Sequence, residues 1–429
     1  MTVQAPDRLE VVMLSLEGPD RYSLAGGLGV RARELCRALA AIGVRTTLVF
    51  AGDPALPAEE VDHGVRLVRW GQHISARHPN GVYQGEEEII ADLEEHLPGW
   101  LAQEVVGPAT RRGHAVALLA EEWQTAGTVL ATSDRLHALG LRHRCALLWN
   151  ANNTFGFDRV DWTRLGYVAS VTTVSRYMRQ LMLSWGVNAL VIPNGIPEAA
   201  LAPVDAAAAR RIAEAADTPC LAFKIGRFHP DKRWHQAVGA IAALRARGIP
   251  ARLLMRGGIE PFGHEVLDHA RHLGLAVADW FEPVDGPSAI AAALADSAGA
   301  PLVHLRTFLP DGVVPVIYAG ATAVLANSGH EPFGLVGLEA MAAGGVAVVG
   351  PTGEEYARPY ANAVVIETDD AAEVAGALRG LVERPELGER LRGAARRDAA
   401  EFAWPRVVEG LLERLRFVCG HQGVAVHGW

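Results

Sequence analysis

Two successive series of short apolar runs, each interleaved with amphipathic stretches, limit the folds that this sequence can adopt. The short runs predict buried strands, and the stretches between them have helical spacing. Strands that alternate with helices form a mostly parallel sheet covered on both faces. In the first series the predicted strands are Leu9–Leu16, Thr46–Phe50, Val65–Val68, Ala115–Ala120, Cys145–Trp149, Val168–Val174 and Leu190–Ile192, and the predicted helices are Leu28–Ile42, Glu86–Leu101, Glu121–Leu139 and Arg176–Trp185.

A proline-rich segment, Pro193–Pro219, separates the two series. We therefore expect an α/β protein with two doubly wound, Rossmann-like domains facing a cleft and ligands at the carboxyl ends of the strands. The predicted domains are residues 1–197 and 198–404. Residues 405–429 are expected to hold a helix that crosses back to the first domain, followed by a loosely ordered tail at Val418–Trp429. The second series predicts a helix at Arg233–Arg247 and strands at Leu221–Ile225, Ala251–Met255, Val277–Phe281, Pro301–Leu305, Ala323–Ala326 and Val346–Val349.

Composition and charge bear on the class of protein. Of 429 residues, 50% are hydrophobic and 21% are charged, which suits folded domains with sizeable cores. The net charge of -9 argues against nucleic acid or an anionic membrane as the partner. The four scattered cysteines are predicted to be buried free thiols, as in a reducing cytoplasm. Met1–Glu10 lacks the apolar core of a signal peptide and no apolar run is long enough for a membrane helix, so we expect a soluble, cytoplasmic protein.

A glycine-rich loop, Ala25–Gly29, lies between the first predicted strand and the first predicted helix. Glycines permit close backbone approach, and a helix N-terminus attracts phosphate oxygens. These glycines also fit the fingerprint of nicotinamide-binding domains, with Asp53 placed as the ribose-binding acid. That fingerprint needs its first glycine directly after the strand, whereas Glu17–Ala25 intervenes here, so a dehydrogenase is disfavoured. A purely structural turn is the other alternative.

A basic segment, Gly226–Lys232, follows the first strand of the second series. It carries Arg227 and Lys232 five positions apart at the carboxyl end of that strand. Arginine offers a fork of donors and lysine a point charge, so the pair could hold a diphosphate. A solvated helix start would explain the same residues.

Two glutamates mark the segment Ser328–Gly344. Pro332 and Gly334 predict a helix that begins there and stops at Gly344, so Glu331 precedes the helix and Glu339 lies on it. Carboxylates accept hydrogen bonds from sugar hydroxyls, and free amides at a helix start serve anionic oxygens. Alternatively, the first glutamate caps the helix and the second pairs with an arginine. The amides concerned belong to Phe333, Gly334 and Leu335.

Together these motifs resemble the retaining glycosyltransferases of glycosyltransferase family 4, which have the GT-B fold. The resemblance is strongest over residues 171–404 and includes the family's paired glutamates at Glu331 and Glu339. It also includes VSRYMRQ at 174–180, VIPNGI at 191–196 and IGRFHPDKRW at 225–234. The motifs are specific in combination, whereas any one alone is not. The glycine loop and the segment EEWQ at 121–124 have a weaker likeness to the glycogen-synthase and sucrose-synthase branch.

The resemblance implies roles for residues of the donor site. Arg227 and Lys232 would bind the donor diphosphate, and Glu339 would accept hydrogen bonds from the ribose hydroxyls. Glu331 would contact hydroxyls of the donor sugar, beside the helix amides. Arg227, Lys232 and Glu331 are therefore predicted catalytic residues.

The resemblance also implies roles in the first domain. Gly26 and Gly27 would let their loop approach the donor phosphates. Many relatives carry a histidine at the end of the strand that here reads ALLWN, and this sequence has Asn150 there, with Asn152 as the other possible equivalent. Asparagine can bond a sugar hydroxyl but cannot carry a proton at neutral pH. Asn150 is the fourth predicted catalytic residue, and a reduced or purely hydrolytic activity stays open.

The implied reaction moves a hexose from a nucleoside diphosphate, UDP- or GDP-linked, to an acceptor hydroxyl with retention at the anomeric carbon. No side chain of the motifs is an obvious nucleophile, so departure of the diphosphate from the front face is expected. There is no DxD sequence, so neither a metal site nor a cofactor is predicted. The acceptor is expected to contact loops such as 71–85 and 150–159. A sugar-nucleotide epimerase or hydrolase is the alternative enzyme, and a nucleotide-binding protein without activity is the alternative class.

Overall fold

The computed structural model describes residues 8–297 and 299–428. Most of the Met1–Glu10 segment, and Trp429 of the predicted tail, lie outside these residues. The chain divides into two compact units. The N-terminal unit comprises residues 1–195 together with 404–429, and the C-terminal unit comprises residues 196–403.

The N-terminal unit is built on an eight-stranded sheet of order β3-β4-β2-β1-β5-β6-β7-β8. All neighbours in it are parallel except β3 and β4, which form an antiparallel pair. The central strands are buried along their whole length, as apolar runs covered on both faces require. The strands are β1 (Leu9–Leu14), β2 (Arg45–Ala51), β3 (Glu59–Asp62), β4 (Val65–Trp70), β5 (Ala115–Glu121), β6 (Cys145–Ala151), β7 (Ser170–Thr173) and β8 (Leu190–Val191).

In the part of the chain that the structure describes, seven α-helices accompany these strands before the second unit begins. Buried apolar side chains at helical spacing on α1 pack against the sheet, and their core includes Leu35, Leu39 and Leu48. The helices are α1 (Gly27–Ala41), α2 (Gln72–Ser75), α3 (Glu86–Trp100), α4 (Gly107–Arg111), α5 (Ala126–Ala138), α6 (Trp162–Val168) and α7 (Arg176–Leu183).

The C-terminal unit has a seven-stranded, parallel sheet of order β11-β12-β10-β9-β13-β14-β15. Its core is formed by β9, β10, β13 and the helices that pack on them, and it includes Trp234, Ile241 and Leu378. The strands are β9 (Cys220–Ile225), β10 (Ala251–Arg256), β11 (Val277–Trp280), β12 (Leu302–Leu305), β13 (Ala323–Ala326), β14 (Ala347–Val349) and β15 (Val364–Val365). The helices are α8 (Ala206–Ala215), α9 (Trp234–Ala246), α10 (Phe262–His272), α11 (Pro287–Asp296), α12 (Val314–Gly320), α13 (Leu335–Ala342), α14 (Ala371–Glu383) and α15 (Pro385–Ala399).

The last helix, α16 (Trp404–His421), belongs to the N-terminal unit, where it packs on α1. Its buried residues, among them Leu411 and Leu415, lie in the same core as those of α1. The expectation of a loose tail from Val418 is wrong for the first part of that segment. The helix continues to His421, and the Gln422 amide bonds the Leu147 backbone at 2.9 and 3.0 Å, because the apolar face of α16 does not end at Phe417.

The structure also corrects the helix predicted at Glu121–Leu139. Glu121 is the last residue of β5, and α5 begins only at Ala126. Between them Glu122 has φ 68° and ψ 166°, a backbone conformation that non-glycine residues rarely adopt, so the chain turns sharply. The short strands β3 and β15 were not predicted, since β3 is largely exposed and β15 has only two residues. The four cysteines are free and buried, as predicted.

Candidate active site

The predicted donor residues lie in loops that follow two adjacent strands of the C-terminal unit. The basic loop follows β9 and the acidic loop follows β13, which pairs with β9 in parallel. The chain winds away from β9 through β10 on one side and returns to it through β13 on the other. Such a switch in strand order opens a crevice at the carboxyl ends of the strands, where ligands bind in sheets of this type.

The basic loop exposes one cation and fixes the backbone beside it. The Arg227 side chain is exposed, and among the described residues it makes no hydrogen bond or ion pair. The Arg227 carbonyl, by contrast, accepts a hydrogen bond of 2.8 Å from the indole Nε1 of the buried Trp234. A short turn at Pro230–Lys232 and the left-handed Arg233 (φ 50°) then lead into α9. The backbone of Arg227 is thus fixed, and its side chain is available to bind an anion.

Two contacts join the basic loop to the acidic loop. The backbone N–H of Gly329 donates to the Asp231 carbonyl at 2.7 Å. The Lys232 ammonium forms an ion pair with the Glu331 carboxylate, and both side chains are partly exposed. The Glu331 backbone N–H donates to the Thr352 hydroxyl at 3.0 Å, which fixes the position of the glutamate. The structure therefore brings two of the predicted catalytic residues, Lys232 and Glu331, into direct contact.

The start of α13 presents the three predicted amides. Gly334 precedes the helix with φ 78°, and a Cβ there would lie 2.7 Å from Cγ of Glu354, so only glycine fits. The Tyr356 hydroxyl donates to the Gly334 carbonyl and holds this turn. Within the described part of the chain, the N–H groups of Phe333, Gly334 and Leu335 have no acceptor. They form a set of unused donors at the positive end of the helix dipole.

Glu339 lies within α13 and is partly buried. Burial raises the pKa of its carboxyl to about 7, and the charge of Asp311 adds to the effect. The Tyr318 hydroxyl lies 3.5 Å from Oε2 of Glu339, at the limit of a hydrogen bond, and opposes that rise. Among the residues that the structure describes, the carboxylate thus has a single weak partner, at a place where a ligand hydroxyl could donate to it.

Glu354 is an acidic residue of this site that the sequence reasoning missed. Its side chain is buried and accepts a hydrogen bond from the Thr352 hydroxyl at 3.1 Å. Glu354 lies in the same loop as Thr352, which also fixes Glu331. Burial, and then the nearby charge of Glu331, raise the pKa of the Glu354 carboxyl to about 8. Nothing in the local sequence pattern marks it, because it comes close to Glu331 only through the packing of the loop after β14.

Lys224, also missed, lies beneath both loops. It is buried on β9, and its Nζ donates to the Leu325 carbonyl at 3.0 Å and to Oδ1 of Asn327 at 2.6 Å. The same ammonium lies 5.2 Å from the ring centre of Trp234. Burial, followed by the charge of Lys232, holds the pKa of Lys224 well below its ordinary value. One signal was available: Lys224 and Lys232 are the two lysines of the sequence.

The glycine loop of the N-terminal unit is occupied by an internal carboxylate. Oε2 of the buried Glu17 accepts hydrogen bonds from the N–H groups of Gly26 at 2.9 Å and Gly29 at 3.1 Å. The Tyr83 hydroxyl donates to the other oxygen. Gly27 is the first residue of α1 and has open space at its Cβ position. Residues 15–26 separate β1 from α1, so this loop does not form the tight turn that the nicotinamide fingerprint requires.

Asn150 lies in a buried polar cluster at the carboxyl ends of β5 and β6. Its amide donates to Oε2 of Glu121 at 2.7 Å and its oxygen accepts from the Thr172 hydroxyl at 2.8 Å. Asn152 donates to the same Glu121 oxygen at 2.7 Å, and Arg31 completes the cluster with an ion pair of 3.2 Å. Both of these Asn150 hydrogen bonds thus join it to internal side chains, whereas Asn152 is only partly buried.

Two Rossmann-like units with parallel sheets, and a site of basic and acidic loops at the switch point of the second, are the features of the GT-B fold, as predicted. Residues 205–398 match the model of the family described as glycosyl transferases group 1. The predicted resemblance is confirmed for the C-terminal unit, which carries a group 1 glycosyltransferase domain.

Three proteins illustrate what this chain is similar to. A D-inositol 3-phosphate glycosyltransferase of Geodermatophilus obscurus is 28% identical over 422 residues, which cover 90% of this chain and 84% of the relative. A GDP-mannose-dependent alpha-(1-6)-phosphatidylinositol dimannoside mannosyltransferase of Mycobacterium tuberculosis is 27% identical over 263 residues, covering 61% of this chain and 56% of the relative. The solved structure of a sucrose-phosphate synthase from Thermosynechococcus elongatus superposes with a TM-score of 0.64 at 20% identity, covering 95% of this chain and 99% of that one. Within residues 8–297 and 299–428, no helix has the length and apolar character of a membrane span.

Proposed function

We propose that this protein is a cytoplasmic, retaining hexosyltransferase that takes its sugar from a UDP- or GDP-linked donor and needs no metal ion. The observation that carries the proposal is the junction of the basic and acidic loops. There, at the carboxyl ends of β9 and β13, lie a guanidinium, an ammonium paired with Glu331, and three amides; among residues 8–297 and 299–428 the guanidinium and the amides have no partner and the ammonium has no other. The named donor of the mycobacterial relative, GDP-mannose, supports a donor of this kind.

The diphosphate would be held by donors of three types. Arg227 can place two parallel N–H groups on phosphate oxygens, and the amides of Phe333 to Leu335 can bind others. Lys232 would turn from Glu331 toward the phosphate, which leaves the Glu331 carboxylate to accept hydrogen bonds from the sugar hydroxyls. Glu339 would accept from the ribose hydroxyls.

These groups would act mainly on the leaving group. The bond between the anomeric carbon and the diphosphate oxygen breaks with its electron pair on the diphosphate. The acceptor oxygen bonds to the same face of the carbon, and its proton passes to a diphosphate oxygen. Negative charge grows on the diphosphate during this step, so Arg227, Lys232 and the amides would stabilise the transition state more than the bound donor.

Direct observation of Lys232 tests the donor site. Reductive methylation with ¹³C-formaldehyde labels accessible lysines and keeps their charge, and only Lys232 and the buried Lys224 are available in the sequence. The methyl signal that Lys232→Arg removes should shift when UDP- or GDP-linked hexoses are added in excess EDTA. No shift with any nucleotide sugar, or a shift that requires a divalent metal, would contradict the donor site as proposed.

Kinetics of two variants separate binding from chemistry. Loss of a hydrogen bond to a charged group costs about 1.5–3 kcal/mol, so Glu339→Ala should raise the donor KM by roughly 10- to 100-fold with a smaller effect on kcat. Lys232→Ala should lower kcat by about 100-fold, because its contact strengthens in the transition state. Arg247→Gln, at the exposed far end of α9, is the matched control and should change neither constant.

The stereochemical outcome and the alternative reactions are decided by the product. NMR of the product formed with the active donor should show the donor's own anomeric configuration. Inversion would exclude the front-face mechanism. Release of free hexose at an undiminished rate with or without an acceptor would instead identify a hydrolase.

A further inference from the structure

Glu354 carries a carboxyl group that the donor site encloses without neutralising it. The residue is 5% exposed. Its Oε2 accepts a hydrogen bond from the Thr352 hydroxyl at 3.1 Å, whereas its Oε1 is inaccessible to solvent and has no partner within residues 8–297 and 299–428. In that same part of the chain, no lysine, arginine or histidine forms an ion pair with it. Because a buried carboxylate without a counterion is costly, such a group takes up a proton instead.

A second carboxylate lies beside this group. The Cγ atoms of Glu331 and Glu354 are 3.2 and 2.7 Å from a single point, the position that a Cβ of Gly334 would occupy. Thr352 also joins the two glutamates, because its hydroxyl accepts from the Glu331 backbone N–H at 3.0 Å and donates to the Glu354 carboxyl. Two carboxyl groups this close do not readily ionise together unless a cation balances them.

Lys232 is the cation beside these two carboxyl groups. Its ammonium forms an ion pair with Glu331 and, among the described residues, none with Glu354. The other titratable side chains around the turn are Tyr356 and Glu339, and neither supplies a positive charge. The cluster of Lys232, Glu331 and Glu354 is therefore neutral only when the Glu354 carboxyl is protonated.

Donor binding changes the charge that Glu354 meets. Burial, and then the charge of Glu331, already raise the pKa of the Glu354 carboxyl to about 8 while Lys232 is paired with Glu331. In the proposed donor complex Lys232 turns to the diphosphate, and Glu331 loses its counterion. The Glu331 charge then acts on Glu354 without compensation, so the pKa of Glu354 rises further. A group whose pKa is higher in the complex binds a proton as the complex forms, at pH values between its two pKa values.

We propose that Glu354 is a positioning residue that carries a proton while the donor is bound, so that Glu331 stays in the site as an unpaired carboxylate after Lys232 has turned to the diphosphate. Above pH 8 this proton comes from the solvent and is taken up as the nucleotide sugar binds. Glu354 acts through Glu331 and does not contact the donor itself. The inference rests on the proposed function, because it requires a diphosphate that attracts Lys232.

The number of protons exchanged on donor binding tests this role. The full chain is titrated calorimetrically at about pH 9 with the nucleotide sugar that shifts the Lys232 signal, in two buffers with different enthalpies of ionisation. At this pH the Glu339 carboxyl, with a pKa of about 7, is ionised with or without donor. The wild type should take up about half a proton or more, and Glu354→Gln should lose that uptake. Glu389→Gln, at an exposed position of α15, is the matched control and should behave as the wild type.

The pH dependence of affinity is an independent measurement. Because the complex binds the proton, the donor Kd of the wild type should increase by roughly 3- to 10-fold between about pH 8 and pH 9.5. Glu354→Gln has an amide that cannot ionise, so its Kd should change much less over the same range. Titration of the nucleobase is common to all variants and cancels in the comparison. A residue that only held the loop in shape would move neither the proton count nor this ratio of Kd values.

Donor binding with equal proton uptake in the wild type and Glu354→Gln would overturn the inference and leave the glycosyltransferase intact, as would equal losses in Glu354→Gln and Glu389→Gln. If Glu354→Gln does not fold, Glu331→Gln decides in its place. It removes the charge that acts on Glu354, so its proton uptake at saturating donor should also disappear, and unchanged uptake would refute the proposal. Absence of any nucleotide-sugar binding, seen at Lys232, would instead refute the proposed function.

Discussion

Glu339 carries a titration that donor binding should follow. Burial raises the pKa of its carboxyl to about 7, so the group is largely protonated at about pH 6 and ionised at about pH 8. Only the ionised form accepts with both oxygens. Affinity for a nucleotide sugar, which has no titration of its own in this range, should therefore rise as the pH increases through 7. The gain should be up to about tenfold per pH unit below the pKa.

Calorimetric titration of the donor across this pH range provides the measurement. Glu339→Gln should bind weakly and lose the pH dependence. Glu354→Gln is the informative control, since the Glu354 carboxyl has a raised pKa of about 8 and lies in the same site. If Glu354→Gln abolishes the dependence and Glu339→Gln preserves it, the two glutamates have been assigned the wrong way round.

Lys224 should affect the donor site only by holding β13 and the start of the acidic loop in place, without contacting the substrate. Lys224→Met substitutes an apolar side chain of similar length for the lysine. It leaves the Leu325 carbonyl and the Asn327 amide oxygen without their donor. Unpaired buried groups cost about 1–3 kcal/mol each, and two are left here, so unfolding by denaturant should show a loss of about 2–6 kcal/mol. The donor KM should rise because Asn327 is the first residue of the loop that carries Glu331. The kcat at saturating donor should change little. A large fall in kcat with normal stability would mean that Lys224 contacts the substrate.

The residues of the donor site differ in how far the sequence reveals them. Lys232 and Glu331 lie in loops with recognisable chemistry, and parallel strands bring such loops to one edge, so their proximity follows from the fold. Lys224 sits within an apolar run that predicts a buried strand, and a lysine there gives no sign of its partners on β13. Asn150 was predicted from the end of a strand, but its burial depends on Glu121 and Thr172, which the local sequence does not place.

At the scale of elements, the turn into α13 depends on one backbone conformation. Gly334 has φ 78°, and a methyl group there would meet Glu354 at 2.7 Å and the Tyr356 hydroxyl at 3.1 Å. Gly334→Ala therefore combines backbone strain of about 1–2 kcal/mol with a steric clash. We expect the free energy of unfolding to fall by roughly 1–3 kcal/mol and donor binding to weaken, because the amides of the turn move.

A glycine with no such constraint is the control for that variant. Gly376, on α14, has no atom within 4 Å of an added Cβ and lies in a helix, so Gly376→Ala should preserve or raise stability. Thermal denaturation and donor titration of both variants give the comparison. Equal effects of the two substitutions would show that the Gly334 turn has no special role.

Element bounds were predicted best where burial is continuous. The strands β1, β2, β5, β9 and β10 are buried along almost their whole length, and their predicted and observed bounds differ by at most two residues. The β5–α5 junction was not predicted, because the helical spacing of residues 121–139 gives no warning of the left-handed Glu122. The strand β3 has little apolar character of its own and forms by pairing with β4.

At the scale of the whole molecule, each unit has its own hydrophobic core, and the core of the N-terminal unit includes the last helix of the chain. Stability should therefore be distributed over two cooperative transitions that respond to different perturbations. Leu411, fully buried on α16, belongs to the N-terminal core, so Leu411→Ala should destabilise that unit by about 2–5 kcal/mol. A nucleotide sugar that binds the C-terminal unit should stabilise the other transition, by about 2.7 kcal/mol at a hundred times its Kd.

Scanning calorimetry of the intact chain measures both effects. For units of this size, 1 kcal/mol corresponds to roughly 2–4 °C, so each perturbation should move its own transition by several degrees. The shift caused by the nucleotide sugar should persist in excess EDTA, since the proposed diphosphate site consists of Arg227, Lys232 and amides rather than a metal ion. Arg227→Gln should reduce that shift and leave the transition lowered by Leu411→Ala unchanged. Loss of the shift on chelation, with recovery only on adding a divalent metal, would contradict metal independence, and a single transition moved equally by all three changes would contradict two separately cooperative units.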